Sequence, residues 1–157
     1  MKRIFVIFLL SAVCCLPSLF IGCGDGKIRT EPVRGVITLD GEPLEDAAVN
    51  FTPKNPSEGI ASFGRTNARG EYLLQTLTGR VDAGTLPGEY IVTVSKYQLV
   101  PTGRRMVEAG SGDIVDEMES VFIFPGMSRY ANTRTSPFSA TVVKGKNEFD
   151  FALESGN

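Results

Sequence analysis

The sequence contains no histidine and no tryptophan among its 157 residues. Without histidine the chain cannot form a Ser-His-Asp or Cys-His nucleophile arrangement, a histidine-containing zinc site or the usual physiological-pH switch. No other grouping of nucleophile, base and orienting residue can be assembled from the sequence. We therefore expect a protein that is not an enzyme and that needs no cofactor.

Cysteine is also scarce, and Cys14, Cys15 and Cys23 all lie near the N-terminus. The remainder of the chain has no thiol and cannot form a disulfide, so its stability must come from core packing. The longest apolar run, residues 4–16, is broken only by Ser11, follows Lys2 and Arg3, and is too short to span a bilayer comfortably. A basic start followed by a short apolar run is typical of a secretory signal peptide.

Residues 19–23, Leu-Phe-Ile-Gly-Cys, resemble the lipobox of bacterial lipoproteins, although Phe20 stands where leucine is usual. The resemblance implies that residues 1–22 are removed as a signal peptide and that Cys23 carries lipid. Residues 23–32 would then form a flexible tether to the membrane. Ordinary signal-peptidase cleavage and an uncleaved anchor helix are the alternatives. Because Gly24 stands where aspartate resembles an inner-membrane retention signal, we expect the outer membrane in a two-membrane cell.

The chain is mildly acidic, with a formal net charge of −2, which argues against nucleic acid as a partner. Its 17 glycines and 9 prolines indicate short elements joined by turns. No sustained helical periodicity follows the apolar run. These features favour an all-β class.

Residues 33–53 show the clearest pattern in the chain. Apolar or small residues recur there at every second position, first at Val33, Gly35, Ile37 and Leu39 and then at Ala47, Val49 and Phe51. This alternation predicts two half-buried strands. Between them Asp40-Gly41 is a pair that tolerates positive φ, and Leu44 is expected to fold back over the open end of the core.

Five further strands are predicted by the same alternation, in residues 62–66, 72–76, 89–96, 138–142 and 149–153. The last two flank a Lys144-Gly145-Lys146 turn, and we expect them to pair as a terminal hairpin. In the resulting core, Phe51, Val92 and Phe149 should be almost fully buried.

Residues 98–120 break this rhythm, because they are polar and show no pattern. We expect a flexible excursion without regular structure there. Residues 121–137 differ, since Phe122, Phe124 and Tyr130 are large apolar anchors that should dock on the rest of the domain.

Three stretches carry a resemblance to a known family: VRGVITLDGEPLEDAAVNFTP, GRTNARGEYLL and LPGEYIVTVSK. Their succession resembles the carboxypeptidase regulatory-like domain, and the C-terminal part resembles solitary bacterial lipoprotein forms of it. The resemblance implies a seven-stranded Greek-key β-sandwich of transthyretin (prealbumin-like) type over residues 33–154, with a long irregular insertion before the C-terminal hairpin. It implies a fold and leaves the biochemical role undefined.

Four carboxylates, Asp40, Glu42, Glu45 and Asp46, crowd one turn at a density that could coordinate Ca²⁺. Their spacing matches no dedicated calcium loop, so we favour a solvated acidic turn and predict no metal site. Binding is usually built on loops set on a rigid scaffold. The acidic turn, together with Tyr130 and Arg134, is therefore the predicted interaction surface.

The sequence thus predicts a non-enzymatic, lipid-anchored β-sandwich module of the bacterial cell envelope with an interaction or structural role. Its expected partners are the membrane, through the lipid anchor, and an envelope protein or glycan. A carbohydrate- or small-ligand-binding accessory module is the alternative.

Overall fold

The computed structural model describes residues 29–76 and 84–156, and most of their regular structure is β-strand. In chain order the strands are β1 (Val33–Leu39), β2 (Glu42–Pro43), β3 (Ala48–Pro53), β4 (Ser62–Arg65), β5 (Glu71–Leu73), β6 (Gln75–Thr76), β7 (Gly88–Ser95), β8 (Tyr97–Val107), β9 (Ile114–Phe122), β10 (Phe138–Val142), β11 (Asn147–Glu148) and β12 (Phe151–Leu153). A 3₁₀ turn at Pro125–Met127 leads into α1 (Ser128–Ala131). The expected all-β class is confirmed, with twelve strands in these residues rather than the predicted seven.

The first five-stranded sheet is built around β1, which pairs in parallel with β11 and β12 and antiparallel with β5 and β2. The parallel pairing is interrupted between β11 and β12, where Asp150 Oδ1 accepts the Val36 N–H at 2.8 Å. Gly35 lies beside this interruption. A Cβ at this position would come within 1.8 Å of the Phe149 carbonyl oxygen, so only glycine fits.

The second sheet also has five strands, in the order β10-β7-β3-β4-β6, and all of its pairs are antiparallel. Its two inner strands, β3 and β7, contain the strongest apolar alternation of the sequence. Val49, Phe51, Val92 and Val94 are all 0% exposed on these strands. The alternation therefore predicts correctly which face of each strand is buried.

The two sheets share one core, and Phe51 lies at its centre. The ring centroid of Phe51 lies 5.9–6.4 Å from those of Tyr72, Tyr90, Phe149 and Phe151. Because Tyr72 and Phe151 belong to the first sheet and Tyr90 to the second, these ring contacts join the sheets. The predicted burial of Phe51 and Val92 is confirmed. Phe149 is only partly buried, since it lies at the interruption of the terminal strand.

The predicted terminal hairpin is wrong. Strand β10 pairs with β7 in the second sheet, whereas β11 and β12 pair with β1 in the first. The turn at Lys144-Gly145-Lys146 therefore carries the chain from one sheet to the other. The buried Asn147 side chain holds this turn by accepting the Val143 N–H at 2.9 Å and donating to the carbonyl oxygens of Val143 and Gly145 at 2.9 and 3.0 Å.

The expectation of an excursion without regular structure over residues 98–120 is also wrong. Strands β8 and β9 form a long antiparallel hairpin with a bulge between Pro101 and Arg105. The hairpin is a two-stranded sheet of its own and has no extensive contact with the strands of the other two sheets. Its side chains are mostly exposed, as the sequence led us to expect.

The segment after the hairpin docks on the core as predicted. Tyr130 is 1% exposed, and Phe122 and Phe124 are partly buried against the core. Met127, which the sequence reasoning did not single out, is 0% exposed, and its sulfur accepts the Lys96 N–H at 3.1 Å. In the part of the chain described, no helix is both long enough and apolar enough to cross a membrane.

Candidate functional site

The two ends of the sandwich are built from different parts of the chain. At one end, which we call the tether end, Glu31 pairs with Thr85 and its carboxylate accepts the Gly145 N–H at 2.8 Å. At the other, which we call the hairpin end, β1 finishes at the acidic turn and β7 finishes at Ser95, just before the hairpin. The seven residues of β1, at about 3.3 Å each, separate the two ends by roughly 20 Å.

The acidic turn lies at the hairpin end, and three of its residues adopt positive φ. Asp40 and Gly41 have φ values of 51° and 91°, as the sequence predicted, and Asp46 has a φ of 57°. Leu44 folds inward and is 6% exposed, which confirms its predicted place over the core. The turn is therefore fixed in shape by its backbone and by one apolar contact.

Each end of the acidic turn is held by a hydrogen bond or ion pair to another element. Asp40 Oδ1 accepts the Ser155 N–H at 3.0 Å, and hydrogen bonding from Ser155 holds the pKa of Asp40 below its ordinary value. Asp46 forms an ion pair with Arg65 of β4. Glu42 and Glu45 are exposed. Across residues 29–76 and 84–156, no three metal-ligating side chains converge.

Tyr130 is part of the core and cannot present its ring at a surface. Its ring centroid lies 5.4 Å from that of Phe138, nearly parallel to it. Its hydroxyl accepts the Glu154 N–H at 3.0 Å and an Arg129 N–H at 2.7 Å. The Arg129 guanidinium also lies 4.5 Å from the centre of the Tyr130 ring, a cation–π contact. Tyr130 therefore supports the hairpin end from inside.

The C-terminal segment joins two of the predicted site residues, because Asp40 bonds to Ser155 and Tyr130 bonds to Glu154. The predicted acidic turn and the docked segment thus meet at one end of the molecule. Arg134 is exposed, and its backbone N–H donates to Asn132 Oδ1 at 2.9 Å. Cys23, the predicted lipidation site, lies outside the described residues.

The hairpin carries a surface that the sequence reasoning missed. Residues opposite each other on antiparallel strands share a face, so the register places Tyr97, Leu99, Pro101, Val107, Ile114 and Met118 on one side of the hairpin. We call these six residues the hairpin apolar face. All six are exposed, and Leu99 and Ile114 reach 67%. Large apolar side chains exposed together are typical of an interaction site.

Two groups interrupt or close this face. Arg105 and Asp116 lie opposite each other in its middle. At the base the rings of Tyr97 and Phe122 stack with their centroids 4.6 Å apart. On the reverse side, Arg104 pairs with Glu117 at 2.9 Å and Thr102 donates to the same carboxylate at 2.9 Å. The two sides of the hairpin therefore differ in character, one mainly apolar and the other a mixture of apolar and charged or polar residues.

A shallow groove of about 420 Å³ runs beside β1 and β5 and is lined by Arg34, Gly35, Val36, Glu71, Tyr72, Leu73 and Glu148. Arg34 and Glu148, which lie on neighbouring strands beside it, form an exposed ion pair at 3.0 Å. Burial raises the pKa of Tyr72, whose hydroxyl donates to the Phe149 carbonyl oxygen at 2.8 Å. The groove is thus polar and charged at its rim.

These observations define an all-β protein whose two sheets enclose an aromatic core and whose hairpin end carries an exposed apolar face. No family model matches the chain, and no curated protein matches it. A solved structure of a 9R-lipoxygenase from Cyanothece PCC8801 is 12% identical over 80% of this chain, with a TM-score of 0.37. This chain covers only 16% of the lipoxygenase chain.

Proposed function

We propose that this protein is a non-enzymatic, lipid-anchored β-sandwich module of the bacterial cell envelope that acts through interactions made at its hairpin end. In this proposal the domain is a carboxypeptidase regulatory-like sandwich of transthyretin type with a long hairpin inserted before β10. The lipid on Cys23 holds the protein at a membrane, in an outer membrane where the cell has two. The interaction surface lies at the opposite end of the sandwich, the hairpin end.

The separation of the two ends is the observation that carries the proposal. The chain enters the sandwich at Glu31, at the tether end, and the predicted anchor residue precedes this point by a few residues. The acidic turn and the hairpin lie at the far end of β1. A module anchored through residues 23–32 would therefore hold its exposed apolar face away from the bilayer. In that position the face can contact other components of the envelope.

The exposed apolar side chains support interaction as the role. A two-stranded hairpin is marginally stable by itself in water. Its apolar face contributes little free energy of stabilisation while it stays in contact with solvent. Side chains such as Leu99 and Ile114, each 67% exposed, contribute most when a partner covers them.

Membrane fractionation tests the anchor. In cells that express the full-length chain, we expect the wild type in the membrane pellet after a salt wash and Cys23→Ser in the soluble fraction or secreted. Two or three acyl chains bind a bilayer far more strongly than one, at about 0.8 kcal/mol per buried CH₂. Cys15→Ser is the matched control and should behave as wild type. A Cys23→Ser variant that stays in the washed pellet would contradict the proposal.

The groove beside β1 favours a second candidate, a carbohydrate- or small-ligand-binding accessory module. Its volume of about 420 Å³ and its rim of Arg34, Glu71 and Glu148 suit a polar ligand with several hydroxyl groups. A glycan array separates the two roles. Binding that Arg34→Ala weakens, while Arg104→Ala on the hairpin leaves it unchanged, would favour this second candidate.

A further inference from the structure

The hairpin apolar face is a sheet face without a second layer in the described part of the chain. A half-buried sheet normally packs its apolar side on another element, yet no strand of either sandwich sheet has an extensive contact with β8 or β9. Two exposed strands with five large apolar side chains on one side, Tyr97, Leu99, Val107, Ile114 and Met118, therefore need an occupant.

We infer that the occupant is a second copy of this chain, which packs its own hairpin apolar face against the first through a two-fold axis parallel to the strands. Four strands then form a small two-layer sandwich. The inference goes beyond the proposed function and does not depend on it, because two unlipidated chains would pair in the same way.

The charges on the face are the first argument for a second copy. Arg105 and Asp116 lie opposite each other across the hairpin. A two-fold axis running between the strands places Arg105 of one copy over Asp116 of the other, and the reverse pair forms at the same level. The face is therefore self-complementary, as an interface between identical copies requires.

The face is also self-complementary in the sizes of its side chains. Leu99 lies opposite Ser120 on the hairpin, so the axis sets the leucine of each copy over the serine of the other. Val107 and Ile114 likewise lie opposite each other, so Val107 of each copy would meet Ile114 of the other near the tip. In the dimer, a large side chain of one copy thus lies over a small one of the other, as for Leu99 and Ser120, or over another aliphatic side chain, as at the tip. The side chains of the two faces can therefore interdigitate.

The area is large enough for a specific contact. The exposed fractions of the five large side chains, from 47% for Met118 to 67% for Leu99 and Ile114, correspond to an accessible area on the order of 600 Å² per copy, or roughly 1,200 Å² for two copies when a dimer covers all of it. That total lies at the lower end of specific interfaces. The expected dimer is therefore a modest one that exchanges with monomer.

A lipid surface is a poorer occupant, because the hairpin is acidic. From Tyr97 to Phe122 it carries two arginines, Arg104 and Arg105, and five carboxylates, a formal net charge of −3. Anionic lipid headgroups attract basic segments and repel acidic ones. The hairpin also projects from the end of the sandwich opposite to the tether.

Sedimentation equilibrium of the full-length chain in a density-matched detergent tests the inference. We expect a monomer–dimer equilibrium for the wild type. Met118→Glu, on the apolar face, should raise the dissociation constant about tenfold or more, because it places a charge inside the contact. Met106→Glu is the matched control on the opposite side of the same hairpin, where Met106 pairs with Val115 and is 51% exposed. It should change the constant by less than about threefold.

A charge exchange gives a second measurement. Arg105→Asp should weaken the dimer, and Arg105→Asp combined with Asp116→Arg should restore it, since the pairs across the axis are re-formed. Circular dichroism of each variant shows whether the sandwich stays folded. A wild type that remains monomeric at the highest attainable concentration overturns the inference, as does an equal effect of the two methionine substitutions. Binding of the wild-type hairpin face to anionic or neutral vesicles in preference to self-association also overturns it.

Discussion

Phe51 shows at the scale of one residue how the two sheets are held together. Its side chain is 0% exposed and contacts four aromatic rings, two of them, Tyr72 and Phe151, on strands of the other sheet. We expect Phe51→Ala to lower the free energy of unfolding by about 3–5 kcal/mol, since it leaves a cavity where the sheets meet. Phe63, one strand away and 41% exposed, is the matched control.

Thermal and urea denaturation of Phe51→Ala and Phe63→Ala measure this difference. The control should lose about 1 kcal/mol or less, because its side chain is already largely in water. Equal losses in the two variants would show that the Phe51 ring does not hold the sheets together.

A second residue-scale prediction concerns Glu71. Its carboxylate accepts hydrogen bonds from Arg69 at 2.7 and 3.1 Å and from Asn67 at 2.9 Å, and these bonds hold the pKa of Glu71 below its ordinary value of 4.5. A carboxyl group with a lowered pKa in the folded state stabilises the fold above its ordinary pKa. That contribution disappears as the pH falls through the lowered pKa.

Melting temperatures measured over a pH series check this account of Glu71. At neutral pH the wild type should melt above Glu71→Gln, and the gap should close as the solution is acidified below the ordinary pKa. Glu45→Gln, on the exposed part of the acidic turn, is the control for general charge effects. A gap between wild type and Glu71→Gln that stays constant from neutral to acidic pH would contradict the prediction.

Among the elements, the β8–β9 hairpin is the one that depends least on the others. Its residues contact mainly each other, and Gln98 and Val121 lie directly opposite at its base. Replacement of residues 99–120 by Asn-Gly, a favoured two-residue hairpin turn, should leave the melting temperature within a few degrees of the wild type. It should also abolish self-association.

The docked segment should behave in the opposite way. Tyr130 is buried and binds the C-terminal segment through Glu154, so Tyr130→Ala should cost about 3–5 kcal/mol of unfolding free energy. Parallel melts of the shortened chain and of Tyr130→Ala make the comparison. A shortened chain that unfolds while Tyr130→Ala melts like wild type would reverse these assignments.

The elements that the sequence predicts well are those with one face in the core. Alternation in β1, β3 and β7 follows burial, because every second position on these strands, as at Ile37, Phe51 and Val92, is buried in the core between the sheets. Alternation does not show which strand pairs with which. The prediction of a terminal hairpin was wrong for this reason, because residues 138–142 and 149–153 alternate equally well whether they pair with each other or with β7 and β1.

The β8–β9 hairpin was missed for a different reason. Pro101 and Gly103 lie inside β8, where such residues ordinarily argue against a strand, and the bulge between Pro101 and Arg105 is what accommodates them. Its exposed faces also mix polar and apolar residues. The available signal was the every-second-residue spacing of Tyr97, Leu99 and Pro101, followed by the glycine-rich turn at residues 108–113.

The molecule as a whole has two ends with different roles. The sandwich receives the N-terminal segment at Glu31 and presents the acidic turn and the hairpin about 20 Å away. This division predicts that surface changes at the hairpin end, such as Met118→Glu, leave membrane attachment unchanged, while Cys23→Ser removes attachment and leaves the fold intact. Fractionation and circular dichroism of both variants measure the two properties separately.

The most direct test of the central claim is intact-mass spectrometry of the protein purified from cell membranes. We predict a mature chain that begins at Cys23, with the mass of residues 23–157 increased by diacylglycerol or by three acyl chains. The same measurement on Cys23→Ser, recovered from the soluble or secreted fraction, should show no added lipid. A wild-type chain that carries a free thiol at Cys23, or that begins at any other residue, would contradict the claim that this sandwich is a lipid-anchored module.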